Sequence, residues 1–377
     1  MNPQRLRILH TESSLGWGGQ EIRVLTEARG VSRLGHEVLL AAPPEARIFA
    51  EAARFGVEAL ALPIARKGPR GMAALRGLLS RRTLDIVNTH SSTDSWLAAL
   101  AGATLARAAP LVRTRHISAP VPRNFATRWL YGRAAARIVT TGERLREQVV
   151  AETGVDPARV VSIPTGIDLE RYRPGERDTA RAALGLPREA TIIGIVATLR
   201  SWKGHAHLLE AFAALARADA RLAIVGDGPQ REALERRAAD LGISASVTFA
   251  GNQADVVPWL QAFDLFCLPS YANEGVPQAL MQAMACALAV VTTPVGSIEE
   301  IVTDGVDGVM VPPADPARLR AALSALLDDA GRRRALGERA LARARERFGE
   351  ARMVEGMVRV FREAAVLRGA PGAAHAR

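Results

Sequence analysis

DLFCLPSYANEGVPQALMQAMACALAVVTT, residues Asp264–Thr293, carries the alternation on which the fold reading rests. Asp264–Pro269 is an apolar run of strand length. Asn273–Ala287 (NEGVPQALMQAMACA) opens as a polar loop and continues as a helix, and Leu288–Thr293 is apolar again. Two buried strands joined through a helix must run parallel, with a right-handed crossover. In such a sheet, the loop at the carboxyl end of a strand is where phosphates meet backbone N–H groups. Glu274, at the mouth of the helix, can offer a carboxylate to hydroxyl groups, and Gln282 lies eight positions on, far enough to touch a second part of the same ligand. Hydroxyls and an anion together suggest a sugar carried on a nucleotide diphosphate.

The same alternation extends outward in both directions. Strands are expected at Arg5–His10, Glu37–Ala42, Val57–Pro63, Asp85–Thr89, Leu111–Thr114, Arg137–Thr141 and Val160–Pro164. A glycine loop, Ser13–Gln20, precedes a helix over Glu21–Leu34 that stops at Gly35. After a polar connector at Thr165–Arg188, strands resume at Thr191–Thr198, Leu222–Val225, Ser246–Ala250, Leu265–Leu268, Ala289–Thr292 and Gly308–Val311, and the chain is helical from Ala314 to about Leu367. The fold class is therefore α/β: two Rossmann-like parallel-sheet domains facing a cleft. Their expected ranges are 1–170 and 171–348. A C-terminal helix at about 349–368 packs back on the N-terminal domain, and a disordered tail covers 369–377.

At 377 residues with 48% hydrophobic content, the chain is long enough for two or three domains with ample cores. No apolar run reaches the roughly 18 residues of a membrane helix, and MNPQRLRILH has no signal-peptide core, so a cytoplasmic protein is expected. Cys267 and Cys286 both lie in apolar segments and read as buried free thiols. Only Lys67 and Lys203 among the 49 basic residues are lysine. A lysine at a motif position therefore marks a place for a compact ammonium rather than a planar guanidinium.

Two function classes drop out. The loop Gly16-Trp17-Gly18-Gly19 lacks GxGxxG spacing, the second strand ends without an acidic residue for a ribose, and Gly226-Asp227-Gly228-Pro229 also misses the fingerprint, so hydride transfer is excluded. A basic chain could suit nucleic acid, but aromatics are only 5% and no nucleic-acid motif is present.

The motifs GWGGQE, RLGHEV, DIVNTH, VRTRH, IPTGID, LRSWKG, IVGDGP, PSYANEGVPQALMQAMA and EEIVTDGVDG follow one another in order from residue 16 to residue 308. In that order the chain resembles the GT-B glycosyltransferases of retaining family 4 (glycosyl transferases group 1), of the lipopolysaccharide or surface-glycan type. The resemblance implies a nucleotide-sugar donor held by the C-terminal domain, an acceptor held mainly by the N-terminal one, and transfer that needs no metal or other cofactor. The sequence shows no His/Cys ligand cluster and no Asp-x-Asp pair.

Without a metal, fixed positive charge and N–H dipoles must stabilise the leaving diphosphate. Lys203 and Arg200, between a strand and a helix, are placed for this. Thr198 stands where the family commonly carries an arginine, and Arg200 is the substitute. Gly18 and Gly19 offer backbone N–H groups at a helix start, and Trp17 beside them either covers the acceptor or packs against its domain. Glu274 matches the first acid of the Glu-x7-Glu motif and should bind donor-sugar hydroxyls; Gln282 replaces the second, losing charge-assisted binding to the ribose. Gly226, Gly275, Val276, Pro277 and Gln278 complete the donor loops, Glu300 supports the nucleotide side, and Asp304 caps or closes a turn. His116 aligns with the family's active-site histidine near the transferred sugar, with His90 and Arg115 on the acceptor side. No protein base is implied. A donor phosphate oxygen takes the acceptor proton as the sugar–phosphate bond opens.

Charge is uneven. Residues 1–170 carry 23 basic and 15 acidic groups, whereas residues 171–377 carry 26 and 24. Ser95–Gly142 holds seven arginines and no acid, with Trp96, Phe125, Trp129 and Tyr131 among them, and Ala59–Leu84 has six basic residues and no acid. Such a surface suits an anionic membrane or a phosphorylated glycolipid. The alternatives left open are a soluble acceptor and a non-catalytic nucleotide-sugar-binding protein.

Overall fold

A computed structural model describes residues 5–117 and 119–369. Of the expected tail at 369–377, Gly369 ends the last helix, and residues 370–377 lie outside the described residues. The chain divides into two compact units, unit 1 (1–166 with 350–377) and unit 2 (167–349).

Unit 1 has a seven-stranded sheet: β1 (Arg7–Thr11), β2 (Glu37–Ala42), β3 (Glu58–Ala61), β4 (Ile86–Thr89), β5 (Leu111–Arg115), β6 (Ala135–Thr140) and β7 (Val160–Ser162). Its order is β3-β2-β1-β4-β5-β6-β7, and every pairing is parallel. Chain order reverses between β1 and β4, the switch point where doubly wound sheets bind ligands. The strands are short and apolar because helices cover both faces; β4 is buried at every position.

One face of this sheet belongs to a core that includes Ile8, Leu40, Val112 and Val139; the other to a core with Leu9, Leu39, Val87 and Ile138. The alternation Ile8/Leu9 follows from the two-residue period of a strand. The first core is completed from far along the chain. The helix Glu350–Gly369 supplies Met353, Val354, Met357, Val358 and Phe361 at helical spacing, and its Glu350 accepts from Arg29 at 2.8 Å. Truncating Phe361 to alanine would cost about 3–5 kcal/mol by cavity formation.

Unit 2 has a six-stranded parallel sheet: β8 (Thr191–Val196), β9 (Ala220–Val225), β10 (Val247–Gly251), β11 (Leu265–Leu268), β12 (Ala289–Thr292) and β13 (Val309–Met310). The order β10-β9-β8-β11-β12-β13 puts its switch point between β8 and β11. The stretch Asp264–Thr293 forms β11, the helix Gln278–Ala285 and β12, with all of β11 and β12 buried. Cys267 and Cys286 are free and buried.

Two further details differ from the sequence reading. The expected domain limits at 170/171 and 348/349 differ from the compact units, which divide at 166/167 and 349/350. The reason is local: Ile167 N donates to Phe348 O at 2.7 Å, and Ile167 bridges Gly349, tying residues 167–169 to unit 2. The C-terminal helical stretch is three helices, Pro316–Asp328, Ala330–Arg347 and Glu350–Gly369. Asp329 caps the second of these by accepting from Arg332 N, so the break carries its own signal. No helix among the described residues is long and apolar enough to cross a membrane.

Candidate functional site

Unit 2 gathers its sequence-nominated residues at the carboxyl ends of β8 and β11. After β8 the chain passes Thr198 and Arg200, both exposed, into a short 3-10 turn, Ser201–Lys203, and then the helix His205–Leu215. Arg200 lies over the Trp202 ring at 5.7 Å. The turn is held against the β11 loop by Tyr271 N donating to Trp202 O at 2.8 Å. Gly204 has φ +77, and a Cβ there would fall 2.0 Å from Pro269 O, so only glycine lets the two loops meet.

This approach brings Lys203 Nζ to 2.7 Å from Glu274 Oε1. The Ser270 hydroxyl donates to the same oxygen. Glu274 is 4% exposed and Lys203 18%. Glu274 lies in the loop ahead of the helix, which begins at Gln278 behind Pro277, and its carboxylate meets the lysine there. A carboxylate this buried needs its partner: removing Lys203 alone would cost about 3–5 kcal/mol.

The other residues expected to bind donor are placed by several loops of unit 2. Gly275 O accepts from Ser297 N, and a Cβ on Gly296 (φ +61) would fall 2.0 Å from Glu274 O, so the β12 loop closes on the Glu274 backbone. Val276 and Pro277 continue from Gly275 to Gln278, and Gln282 is buried within the helix. Gly226 packs on Ala197 O and pairs with Gly251, placing the β9 end beside Thr198. Glu300 lies on the short helix Ile298–Ile301, and its carbonyl accepts from Arg343. Asp304 accepts from Met310 N at 2.8 Å and so closes its turn.

Unit 1 builds a different kind of site at its own strand ends. His10 lies in β1, His90 follows β4 and His116 follows β5. His90 Nδ1 and His116 Nε2 are 3.0 Å apart, and His10 Nδ1 and His90 Nε2 are 2.9 Å apart. All three are buried, and burial holds their pKa values down, His10 to about 3 and the other two well below the usual histidine range. Three neutral imidazoles result. Arg115 reaches Tyr131 Oη at 3.3 Å.

The glycine loop is fastened to these strand ends. Glu12 accepts from Ser14 N at 2.8 Å, from Gln20 Nε2 at 2.6 Å and from the Ser91 hydroxyl. Asp94 accepts from Thr11 Oγ1 at 2.7 Å and from the His90 and Ser91 backbone N–H groups at 2.9 Å. Burial raises both carboxyls above their ordinary range, and Asp94 adds to the effect at Glu12. Gly18 is the N-cap of the helix Gly19–Arg33, with no side-chain cap. Trp17 packs against the unit 1 core with Arg47 5.2 Å over its ring.

Sequence reasoning missed His10, Glu12, Glu27, Asp94 and Ser270. Two signals were present. RILH, VNTH and RTRH each place a histidine in or just after a strand, and Ser91–Asp94 has the S-x-x-D spacing of a capping box, which the structure forms. One group among the described residues has metal-ligand spacing: nitrogens of His10 and His90 and an oxygen of Glu27 within 4.8 Å of one another.

Comparison with known proteins agrees with this architecture. Residues 176–343 match Glycosyl transferases group 1, and residues 17–171 match Glycosyltransferase Family 4. The chain is 34% identical over 310 residues to D-inositol 3-phosphate glycosyltransferase 1 of Catenulispora acidiphila, covering 74% of this chain and 72% of that protein. It is 35% identical to D-inositol 3-phosphate glycosyltransferase of Nocardia farcinica over 67% of this chain and 61% of that longer relative. The Anabaena protein HepE, crystallised with UDP, superposes with a TM-score of 0.84 at 20% identity, covering 95% of this chain and all of that one. From these matches and the two doubly wound sheets, the chain belongs to the glycosyltransferases of group 1 and family 4, enzymes of GT-B fold that use nucleotide-sugar donors.

Proposed function

We propose that the enzyme transfers a sugar with retention of anomeric configuration, without a metal, from a nucleotide diphosphate sugar bound by unit 2 to a phosphate-bearing acceptor bound by unit 1. The observation that carries this reading is the Lys203–Glu274 pair at 2.7 Å, seated where a doubly wound sheet meets phosphates. The pair supplies two opposite functions from one point. When donor binds, the Lys203 ammonium turns to the diphosphate with Arg200, and the released Glu274 carboxylate accepts hydroxyl protons of the sugar in charge-assisted hydrogen bonds. As the sugar–phosphate bond opens, fixed positive charge stabilises the departing diphosphate in place of a metal. A phosphate oxygen of that leaving group takes the proton of the acceptor hydroxyl, which attacks from the same face. His116 lies by the transferred sugar, and Gly18 and Gly19 supply N–H groups.

The acceptor is a lipid-linked or lipopolysaccharide-type glycan at the cytoplasmic face of the inner membrane. In support, unit 1 exposes Phe125 at 84% and Ile117 at 57%, and Arg123, Arg128 and Arg133 are exposed on the same segment. Apolar side chains among cations suit an anionic bilayer surface. A soluble phosphorylated acceptor is the second reading, favoured by the inositol 3-phosphate named for the relatives.

The test pairs UDP-, GDP- and ADP-sugars in turn with two acceptor pools, inositol phosphate in solution and glycolipid in anionic liposomes. Transfer to the liposomal pool is expected. Transfer to inositol phosphate alone would replace the membrane reading with the soluble one, and no turnover of any donor would overturn both.

A further inference from the structure

The three histidines form one continuous chain whose direction has chemical consequences. His10 Nδ1 meets His90 Nε2 at 2.9 Å, and His90 Nδ1 meets His116 Nε2 at 3.0 Å. The rings are neutral, so each carries a single N–H. His90 must therefore donate through one nitrogen and accept through the other, which locks its neighbours into the same sense. Only two arrangements exist. In the outward-accepting one, His116 Nε2–H donates to His90, His90 Nε2–H donates to His10, and His116 Nδ1 keeps a lone pair. In the reverse one, every proton moves to the other nitrogen and His116 Nδ1 carries N–H.

The buried end of the chain decides between them. His10 Nε2 and Glu27 Oε2 are both buried without a hydrogen-bond partner. Glu27 Oε1 is already used, accepting from Asn88 Nδ2 at 3.0 Å, and Asn88 Oδ1 accepts from Thr114 Oγ1 at 2.9 Å. Arg23 Nε stands 3.7 Å from Glu27 Oε2, one helical turn away on the same helix, and favours the carboxylate form. An oxygen of Glu27 lies within 4.8 Å of a ring nitrogen of His10, and a carboxylate at that range attracts an N–H and repels a lone pair. We propose that Glu27, acting through His10 and His90, fixes the tautomer of His116 so that its Nδ1 presents a lone pair.

Glu27, His10 and His90 are thus positioning residues. The consequence for catalysis rests on the placement of His116 beside the transferred sugar: a lone pair there accepts a hydrogen bond from a sugar hydroxyl, whereas an N–H would not. A metal ion at His10, Glu27 and His90 is the competing use of the same atoms. Both nitrogens of His90 are already engaged, so an ion would have to break the chain.

The test is long-range proton–nitrogen NMR of full-length protein labelled with nitrogen-15 in histidine, assigned by single His→Gln variants. Spectra at pH 8.5 lie above the value of about 7 to which burial raises the Glu27 carboxyl. The expected wild-type pattern is an unprotonated Nδ1 and a protonated Nε2 at His116. Glu27→Gln can turn an amide N–H toward His10, and should reverse the pattern in all three rings and lower kcat about 10-fold, the scale of one lost hydrogen bond to the sugar, with donor KM within about twofold. A protonated His116 Nδ1 in the wild type overturns the proposal even if Glu27→Gln does not fold. So does an unchanged pattern in a folded Glu27→Gln protein, or stoichiometric metal in the purified enzyme. A reversed pattern with unchanged kcat leaves the relay standing and removes His116 from the sugar.

Discussion

Both units place polar side chains at the carboxyl ends of parallel strands next to a switch point, yet they satisfy them in opposite ways. Unit 2 pairs full charges: Lys203 and Glu274 meet at 2.7 Å. Unit 1 buries groups that can gain or lose protons, three histidines with Glu12, Glu27 and Asp94, and shifts each toward its neutral form. Fixed charge suits the departure of a diphosphate, whose charge is present whatever the pH. Neutral hydrogen-bonding groups suit a hydroxyl, which needs orientation rather than charge. Under the proposed function, the difference matches leaving-group work in unit 2 and acceptor work in unit 1.

The largest effect should come from breaking the charge pair. Lys203→Met should lower turnover about 10²–10³-fold, the scale of losing one electrostatic donor. The double variant Lys203→Met/Glu274→Gln should recover folding stability, because no buried carboxylate is left without its cation, but not turnover. Recovery of both in the double variant would reduce the pair to a structural element. Lys203→Arg should restore activity only in part, since a planar fork cannot occupy the same point.

Charge reversal at Arg123, Arg128 and Arg133 together should release the protein from anionic liposomes. Nucleotide affinity should be nearly unchanged, because the proposed donor site is in unit 2. Cosedimentation should also weaken as salt rises. Equal binding to neutral and anionic vesicles would refute the electrostatic attraction.

The buried carboxyls of unit 1 make stability depend on pH in a specific direction. Glu27 is raised to about 7, and Glu12 and Asp94 are also raised, so folding favours their protonated forms. Their contribution is complete below the ordinary carboxylate range and is lost as pH climbs through the raised values. The histidines act the other way: with His10 held to about 3, their contribution is present above about 6.5 and lost as pH falls. Between pH 6 and 8 the carboxyls dominate. Tm should therefore fall across that interval, by about 2–4 °C for each kcal/mol lost. Glu12→Gln should flatten the fall, and an unaltered slope would remove Glu12 from this role.

The smallest expected effect belongs to Gln282. If its amide oxygen accepts from a ribose hydroxyl, Gln282→Glu should tighten donor binding by up to about 1 kcal/mol, and Gln282→Ala should weaken it similarly. A lowered melting point with unchanged donor affinity in both variants would make it a packing residue, in keeping with its burial in the helix Gln278–Ala285.

The sequence made unit 2 more legible than unit 1. Asp264–Thr293 has strand, loop and helix in consecutive order, and Lys203 stood out because lysine is otherwise almost absent. Strands such as Leu265–Leu268 and Ala289–Thr292 were readable to the residue because both are buried throughout and bounded by polar loops. The Lys203–Glu274 contact was not readable, since it joins loops 71 positions apart through the close approach at Gly204. In unit 1, His10 and Glu27 lie within a strand and a helix whose apolar neighbours conceal them. Only the order β1, β4, β5 in the sheet reveals that the three histidines in or just after these strands are neighbours.

The proposed retaining transfer, with the leaving diphosphate held by the fixed charge of unit 2, is tested most directly by following the anomeric proton of the transferred sugar by NMR during turnover of wild-type enzyme. An α-linked donor should give an α-linked product from its first appearance, and Lys203→Met should slow its formation without changing the anomer. An inverted product would contradict front-face transfer from a diphosphate held by Lys203.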